Sequence, residues 1–284
     1  MFGKVCMITG ATSGIGLAAA KGLAAMGATS IIVGRNSEKC ARTCNLIKAE
    51  TGNESIEFMV ADLSSLGEVH NLADQFGKKF DRLNILVNNA GAKFNSRLVT
   101  ADGYEMTFAL NHLAPFLLTQ LVLENIRAAG NGRIINVSSG SHVGAEMTFS
   151  DIQNKNHYVG KRAYGQSKLA NLLFTYELAR LLRDTDVSVN AMTPGGVITN
   201  FSRNNGWISW LKHVSAHILA RNLIGPKKAA ETILYLATSM EVAGVSGKYY
   251  YNKSAIESSA ASYDEQSAKR LWELSVDLVG KASI

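Results

Sequence analysis

Tyr164 and Lys168 stand four residues apart in Tyr164-Gly165-Gln166-Ser167-Lys168. On a helix that spacing puts both on one face, with the ammonium near the phenol. A neighbouring positive charge favours phenolate and draws a tyrosine pKa down from about 10 towards neutrality. The pair would then move a proton at cellular pH. The same spacing also occurs on ordinary helix surfaces, so the reading depends on what the rest of the chain places around it.

Seven strand-like runs are predicted: Val5–Thr9, Ser30–Val33, Ile56–Val60, Ile85–Asn88, Ile134–Val137, Val187–Ala191 and Lys248–Tyr251, with helical stretches between them. The first six are rich in Val and Ile without clean polar alternation, the pattern of strands buried on both faces. Strands alternating with helices predict right-handed crossovers and a parallel sheet. The expected fold is α/β, a Rossmann-type doubly wound parallel sheet of about seven strands. It forms a single domain over residues 1–284, with no internal repeat and no low-complexity linker. Such sheets bind ligands at the carboxyl ends of their strands, which is where the motifs below fall.

The chain has 284 residues, 46% of them hydrophobic, enough for a large core. No run reaches the roughly 18 apolar residues of a membrane span. Lys4-Val5-Cys6-Met7-Ile8 already reads as a buried strand rather than a signal peptide. Three cysteines give no disulfide framework and suit a reducing compartment, so a cytoplasmic location is expected. Cys40 and Cys44 read as helix positions, with no metal assigned. The net charge of +6 is scattered, with pairs at Lys78-Lys79 and Lys227-Lys228 and no long run. Solvated faces explain it better than nucleic acid would.

Gly10, Gly14 and Gly16 lie in Thr9-Gly10-Ala11-Thr12-Ser13-Gly14-Ile15-Gly16, between the first strand and an Ala-rich helix. They allow a tight turn and close backbone approach to a pyrophosphate, which the N-terminal amides of the helix would attract. The second strand ends at Val33-Gly34-Arg35-Asn36, without the acid that would bind ribose hydroxyls. Arg35 is placed to meet a 2′-phosphate, so NADP(H) is expected over NAD(H). The plain alternative is a surface arginine.

Asn88-Asn89-Ala90-Gly91 follows another strand, and Ser138-Ser139 a third. With the glycine motif, Tyr164 and Lys168 they resemble the short-chain dehydrogenase/reductase family, in order and over nearly the whole chain. That resemblance implies Tyr164 as general acid/base, Lys168 lowering its pKa and holding the ribose, and Ser139 binding the substrate oxygen. Ser138 ranks second, because strand alternation points the two serines apart. It also implies that Asp62-Leu63 contacts the adenine and that Asn89-Ala90-Gly91 borders the cofactor. Pro194-Gly195-Gly196-Val197-Ile198-Thr199 looks like the loop under the nicotinamide, with Thr199 near the carboxamide. Asn111, in Ala109-Leu110-Asn111-His112-Leu113, matches the family's asparagine that supports a relay water. Pro115 has no N–H to offer the Asn111 carbonyl, so that carbonyl is expected to be free for the water.

Ser139 and Tyr164 are 25 positions apart, about twice the spacing in much of the family. The added segment, about 149–162, carries a rival, Tyr158, but Arg162 and not a lysine stands four residues on. The long spacing resembles the retinol dehydrogenase branch. Thr100-Ala101-Asp102-Gly103-Tyr104-Glu105, Ser167-Lys168-Leu169-Ala170-Asn171 and Lys269-Arg270-Leu271-Trp272-Glu273 look like that branch too. Its membrane-bound members carry an anchor before the first strand; none is seen here.

Residues of about 200–226 are apolar at Trp207, Trp210, Leu211, Val214 and Ile218, one face of a helix. Such a segment would cover a hydrophobic substrate, pack on the core or a second subunit, or lie on a membrane surface. His213 and His217 lack the acidic partner of a zinc site. The function expected is NADP(H)-dependent interconversion of a hydrophobic aldehyde or ketone with its alcohol. The alternatives are a double-bond reductase of the protochlorophyllide reductase type and a catalytically silent NADP(H)-sensing module. Family members pair through long helices, here about Phe116–Ala128 and Ala163–Leu182, so a homodimer or homotetramer is expected.

Overall fold

The computed structural model describes residues 1–197 and 223–280. The main sheet contains β1 (Val5–Thr9), β2 (Thr29–Gly34), β3 (Ile56–Val60), β4 (Ile85–Asn88), β5 (Arg133–Val137) and β6 (Ser188–Met192), with β9 (Tyr249–Tyr251) and β10 (Ser254–Ile256). Its strand order is β10-β9-β6-β5-β4-β1-β2-β3. All neighbours run parallel except β10, which is antiparallel to β9. The order reverses between β1 and β4, the switch point at which such sheets open a ligand crevice.

The sheet therefore has one strand more than the seven expected. β10 escapes the hydrophobic pattern because Ser254, Ala255 and Ile256 are all exposed. It is joined to β9 by the two-residue turn Asn252-Lys253, at φ 47° and 67°. Both residues being left-handed is the signature of a tight hairpin, which Asn-Gly would announce and Asn-Lys conceals. A second, two-stranded sheet pairs β7 (Gly196–Val197) with β8 (Leu223–Ile224). Between those strands lies most of the segment expected to cover the substrate; its tryptophans, His213, His217 and Thr199 are outside the described residues.

Helices α1 (Gly14–Ala25), α2 (Ser37–Thr51) and α8 (Pro226–Thr238) sit on one side of the sheet. On the other lie α3 (Leu66–Lys79), α5 (Ala114–Leu121), the short α6 (Leu123–Arg127) and α7 (Gly160–Leu181). Each side closes its own apolar core, one around Ile8, Ile32 and Ile233, the other around Met7, Leu86 and Leu173. Strand alternation sends Met7 and Ile8 to opposite sides.

A last helix, α9 (Glu265–Val279), packs outside α7. Trp272 meets Phe116 edge-on at 5.0 Å and Phe174 at 6.0 Å, and Arg180 reaches Glu265 at 3.7 Å. Phe116, Leu117 and Leu118 of α5 and nearly all of Gly165–Leu178 in α7 are thereby buried within the single chain.

α4 (Met106–Phe108) leads into α5 through a widened turn at Ala109–Leu113, where the Ala114 N–H bonds to the Ala109 carbonyl five residues back. Such π turns favour functional sites. The ladder shifts register around Asn111, whose α-helical partner would have been the missing N–H of Pro115. His112, in this turn, is fully buried and hydrogen-bonded to Ser275 Oγ at 2.8 Å; burial pushes its pKa down to about 3. The unfolded chain then takes up a proton below pH 6.5 that the folded chain refuses, so stability falls as pH drops from 6.5 towards 3. Between those limits the slope from this residue approaches about 1.4 kcal/mol per pH unit. Urea unfolding of His112→Gln across that range is expected to show the shallower loss. Parallel slopes would contradict the assignment.

Candidate active site

The ends of β1 and β4 are stitched together at the switch point. Thr9 Oγ1 accepts from the backbone N–H groups of Asn89 and Ala90 at 2.9 and 3.0 Å. Asn89 Nδ2 donates to the Thr9 carbonyl at 2.7 Å and more weakly to that of Gly10 at 3.4 Å. Gly16 approaches this knot so closely that a Cβ would lie 2.5 Å from Asn89 Nδ2 and 2.7 Å from the Gly10 oxygen. Ser13 precedes α1 without using its side chain as a cap, so the first amides of Gly14, Ile15 and Gly16 have no side-chain partner there. A backbone cradle at a helix N-terminus with no room for a side chain fits a pyrophosphate. Thr12 lies against the end of β2, where a Cβ on Gly34 would be 2.8 Å from its methyl.

Arg35 is exposed just beyond β2. Asn36 caps α2, its Oδ1 accepting from the Lys39 N–H at 2.8 Å. That bond commits the amide oxygen to the helix, a role that spacing from the glycine motif does not reveal. After β3, Asp62 Oδ1 accepts from Ser64 N–H and Oγ at 3.0 and 2.8 Å, while Leu63 is buried in the core. Gly91 faces both Asn111 and Lys168: a Cβ there would stand 3.1 Å from Asn111 Oδ1 and 3.4 Å from Lys168 Nζ. On the far side, Pro194 and Gly195 precede β7, with Gly195 at φ 72° against Tyr251. Val197 lies in β7.

The candidate catalytic residues converge from β5 and α7. Ser138 Oγ donates to the Lys168 carbonyl at 2.9 Å and is buried. Ser139 turns the other way; its Oγ accepts from the Ser141 N–H at 3.2 Å and its hydroxyl faces Tyr164, favouring the phenolate. The turn after Ser139 can lie on α7 because residue 165 is glycine; a Cβ there would be 2.8 Å from the Ser141 oxygen. Lys168 Nζ donates to the Val137 carbonyl at 2.9 Å and stands 5.7 Å from the centre of the Tyr164 ring. Asn111 is fully buried, accepting at Oδ1 from the Ala92 N–H (2.8 Å) and donating from Nδ2 to the Ala92 carbonyl (2.9 Å) and Ser167 Oγ (3.0 Å). Its side chain is thus spent on fixing the β4 loop to α7, and any part in a proton relay falls to its carbonyl.

Electrostatics here depart from the sequence expectation. Burial pushes the Tyr164 phenol above its ordinary range, the Ser139 hydrogen bond opposing and the neighbouring Tyr249 adding to the rise. Burial likewise pushes Lys168 down, to about 8. Both groups are driven towards neutrality because desolvation acts on each charge separately. The ammonium donates to the Val137 carbonyl, which holds it beside the Tyr164 ring.

The added segment 149–162 folds as a capped loop. Asp151 accepts from the N–H groups of Lys155 and Asn156 at 2.7 and 3.1 Å, and Gln153 Oε1 from that of Glu105 at 2.6 Å. Tyr158 is held by the Phe94 carbonyl at 3.0 Å and Thr107 Oγ1 at 3.2 Å. The rival tyrosine is therefore a buckle between this loop and α4, and burial raises its pKa as well. Thr9 and Gly165 also carry weight at the site. Only their positions beside motif residues hint at it.

A family model described as short chain dehydrogenase matches residues 4–206. The chain is 36% identical to polyprenol dehydrogenase of Homo sapiens and 38% identical to retinol dehydrogenase 13 of the same organism, each alignment covering 98% of this chain and 85% of the relative. Among solved structures, the RhlG/NADP complex of Pseudomonas aeruginosa is 29% identical, with a TM-score of 0.71 over 88% of this chain and 94% of that one. An uncharacterised Mycobacterium paratuberculosis protein superposes with a TM-score of 0.78 at 27% identity, over 99% and 94%. On sequence, on fold and on the placing of its motifs at the switch point of the sheet, this chain belongs to the short-chain dehydrogenase family.

Proposed function

We propose that the chain is an NADP(H)-dependent oxidoreductase that interconverts a hydrophobic aldehyde or ketone with its alcohol. The observation that carries this reading is the convergence of Ser139, Tyr164 and Lys168 beside the glycine cradle. A nicotinamide cofactor held there would supply the hydride that the carbonyl carbon accepts. The Ser139 hydroxyl orients the carbonyl oxygen, and Tyr164 donates its proton to that oxygen as negative charge develops. Lys168, next to the ring, stabilises the phenolate left behind, and its depressed pKa lets it pass a proton back near neutral pH. Gly10, Thr12, Ser13, Gly14, Ile15 and Gly16 would hold the pyrophosphate, with Asp62 and Leu63 at the adenine. Asn89, Ala90, Gly91, Pro194 and Gly195 would form the walls of the nicotinamide half.

Relatives named retinol dehydrogenase and polyprenol dehydrogenase support an apolar alcohol, or its carbonyl, as the substrate. Val143, 69% exposed directly after the Ser139 turn, and Val159, exposed at the start of α7, would offer such a substrate apolar surface. The three free, buried cysteines support a reducing, cytoplasmic setting.

Turnover of hydrophobic aldehydes and ketones with NADPH, with the reduced product identified, tests the reading; consumption of enones alone would move it to double-bond reduction. For the cofactor, Arg35 is assigned to the 2′-phosphate. A charge-assisted hydrogen bond contributes about 1.5–3 kcal/mol, so Arg35→Asp is expected to cut the NADPH-over-NADH preference in kcat/KM by about 10- to 150-fold. An unchanged ratio would make Arg35 a surface residue only.

A further inference from the structure

His142 is buried at the end of the short 3-10 turn Gly140–His142, three residues beyond Ser139, and the mechanism above does not use it. Both ring nitrogens are engaged. Nδ1 lies 2.7 Å from the Ser139 carbonyl oxygen, and Nε2 lies 3.1 Å from the backbone nitrogen of Ser259. An amide N–H can only donate, so Nε2 accepts; a carbonyl can only accept, so the ring proton is on Nδ1. One neutral tautomer satisfies both bonds. Burial keeps the ring below its ordinary pKa, in the neutral state that both bonds need. The Tyr249 ring stands edge-on at 5.2 Å and limits rotation of the imidazole.

Ser259 is itself anchored. Its neighbour Ser258 shares a hydrogen bond with the Tyr176 hydroxyl at 2.7 Å and another with Ser262 Oγ at 2.6 Å. Tyr263 stacks on the Tyr176 ring, with centroids 5.3 Å apart. The imidazole thus runs from a strap fastened to α7 into the turn that carries the serine. Without the ring, the turn would keep a His142 N–H bond to the Ser139 carbonyl and a Ser141 N–H bond to Ser139 Oγ, each at 3.2 Å. The second of these draws on the hydroxyl that meets the substrate.

We propose that His142 is a positioning residue for the reaction, clamping the Ser139 carbonyl to the Ser259 strap and so fixing where the Ser139 hydroxyl meets Tyr164 and the substrate oxygen. The inference rests on the roles given above to Ser139 and Tyr164. It also defines what each half of the ring does, and two conservative variants separate them. His142→Asn puts an amide N–H near the position of Nδ1 and keeps the donor to Ser139, but cannot reach Ser259. His142→Gln puts an amide oxygen near the position of Nε2 and keeps the acceptor for Ser259, but loses the donor to Ser139.

The test compares kcat, NADPH Kd, Tm and amide hydrogen exchange over residues 138–145 in the wild type and both variants. His142→Gln is expected to lose kcat by about 10- to 100-fold, with NADPH Kd nearly unchanged and markedly faster exchange in the turn. His142→Asn keeps the bond to Ser139 but not the strap, so it is expected to lose kcat and to speed exchange in the turn by clearly less than His142→Gln, although its Tm falls as far. Wild-type kcat in His142→Gln would overturn the proposal, as would equal losses in both variants that simply follow Tm. Should the wild type reduce no carbonyl at all, the functional reading fails separately. The exchange of the turn, measured without substrate, still decides whether His142 clamps it.

Discussion

Tyr164→Phe is expected to lower turnover by about 10²–10⁴-fold, the range typical of a lost general acid. Only the hydroxyl is removed, so the ring keeps its place beside Lys168 Nζ. The glycine cradle is built from Thr9, Gly10, Gly16 and Asn89 and does not involve that hydroxyl. NADPH binding, followed by quenching of protein fluorescence, is therefore expected to be unchanged. Because burial raises the phenol pKa, Tyr164 stays protonated through neutral pH, and carbonyl reduction should persist there without the need to titrate it. A variant that turned over at the wild-type rate would remove Tyr164 from the chemistry.

Lys168→Met is expected to have opposite effects on activity and stability. Turnover should fall by at least about 10²-fold, since the phenolate loses its nearest cation. Stability should rise. A buried lysine held at about 8 instead of 10.5 carries a desolvation cost on the order of 3 kcal/mol below pH 8. Methionine of similar length removes that cost and forfeits about 1 kcal/mol from the bond to the Val137 carbonyl. The net gain corresponds to a Tm increase of roughly 3 °C for a chain of this size. The sign has a pH signature. Between pH 8 and 10.5 the unfolded wild type holds a proton that the folded state has released, so wild-type stability rises with pH and the advantage of the variant shrinks. Thermal unfolding of both proteins across that window checks it. A variant less stable than wild type at neutral pH would mean that Lys168 holds the fold together instead of burdening it.

These two residues show what the sequence could and could not reveal. Their spacing on one helix face, and the positions of Gly10, Asn89 and Ser139 after successive strands, follow from local periodicity that runs of Val and Ile make plain. The direction of the Tyr164 shift does not, because burial is a property of everything packed around the pair. Likewise Lys269-Arg270-Leu271-Trp272-Glu273 reads as an amphipathic helix, but nothing local says that Trp272 will seat against Phe116 and Phe174 and cover α7. β10 was hidden by its exposed residues and by a hairpin turn without glycine. His142 was hidden for another reason: its partners, Ser139 and Ser259, are 120 residues apart, and only the folded chain brings them to the two sides of one ring.

The most direct test of the central claim follows the hydride itself. NADPH carrying deuterium at the transferable position of the nicotinamide is supplied with a hydrophobic aldehyde or ketone, and the product is analysed by mass spectrometry and NMR. The account predicts one deuterium on the carbinol carbon of the alcohol, formed by the wild type and nearly absent with Tyr164→Phe. Deuterium on a former alkene carbon, or an alcohol formed at equal rates by both proteins, would contradict it.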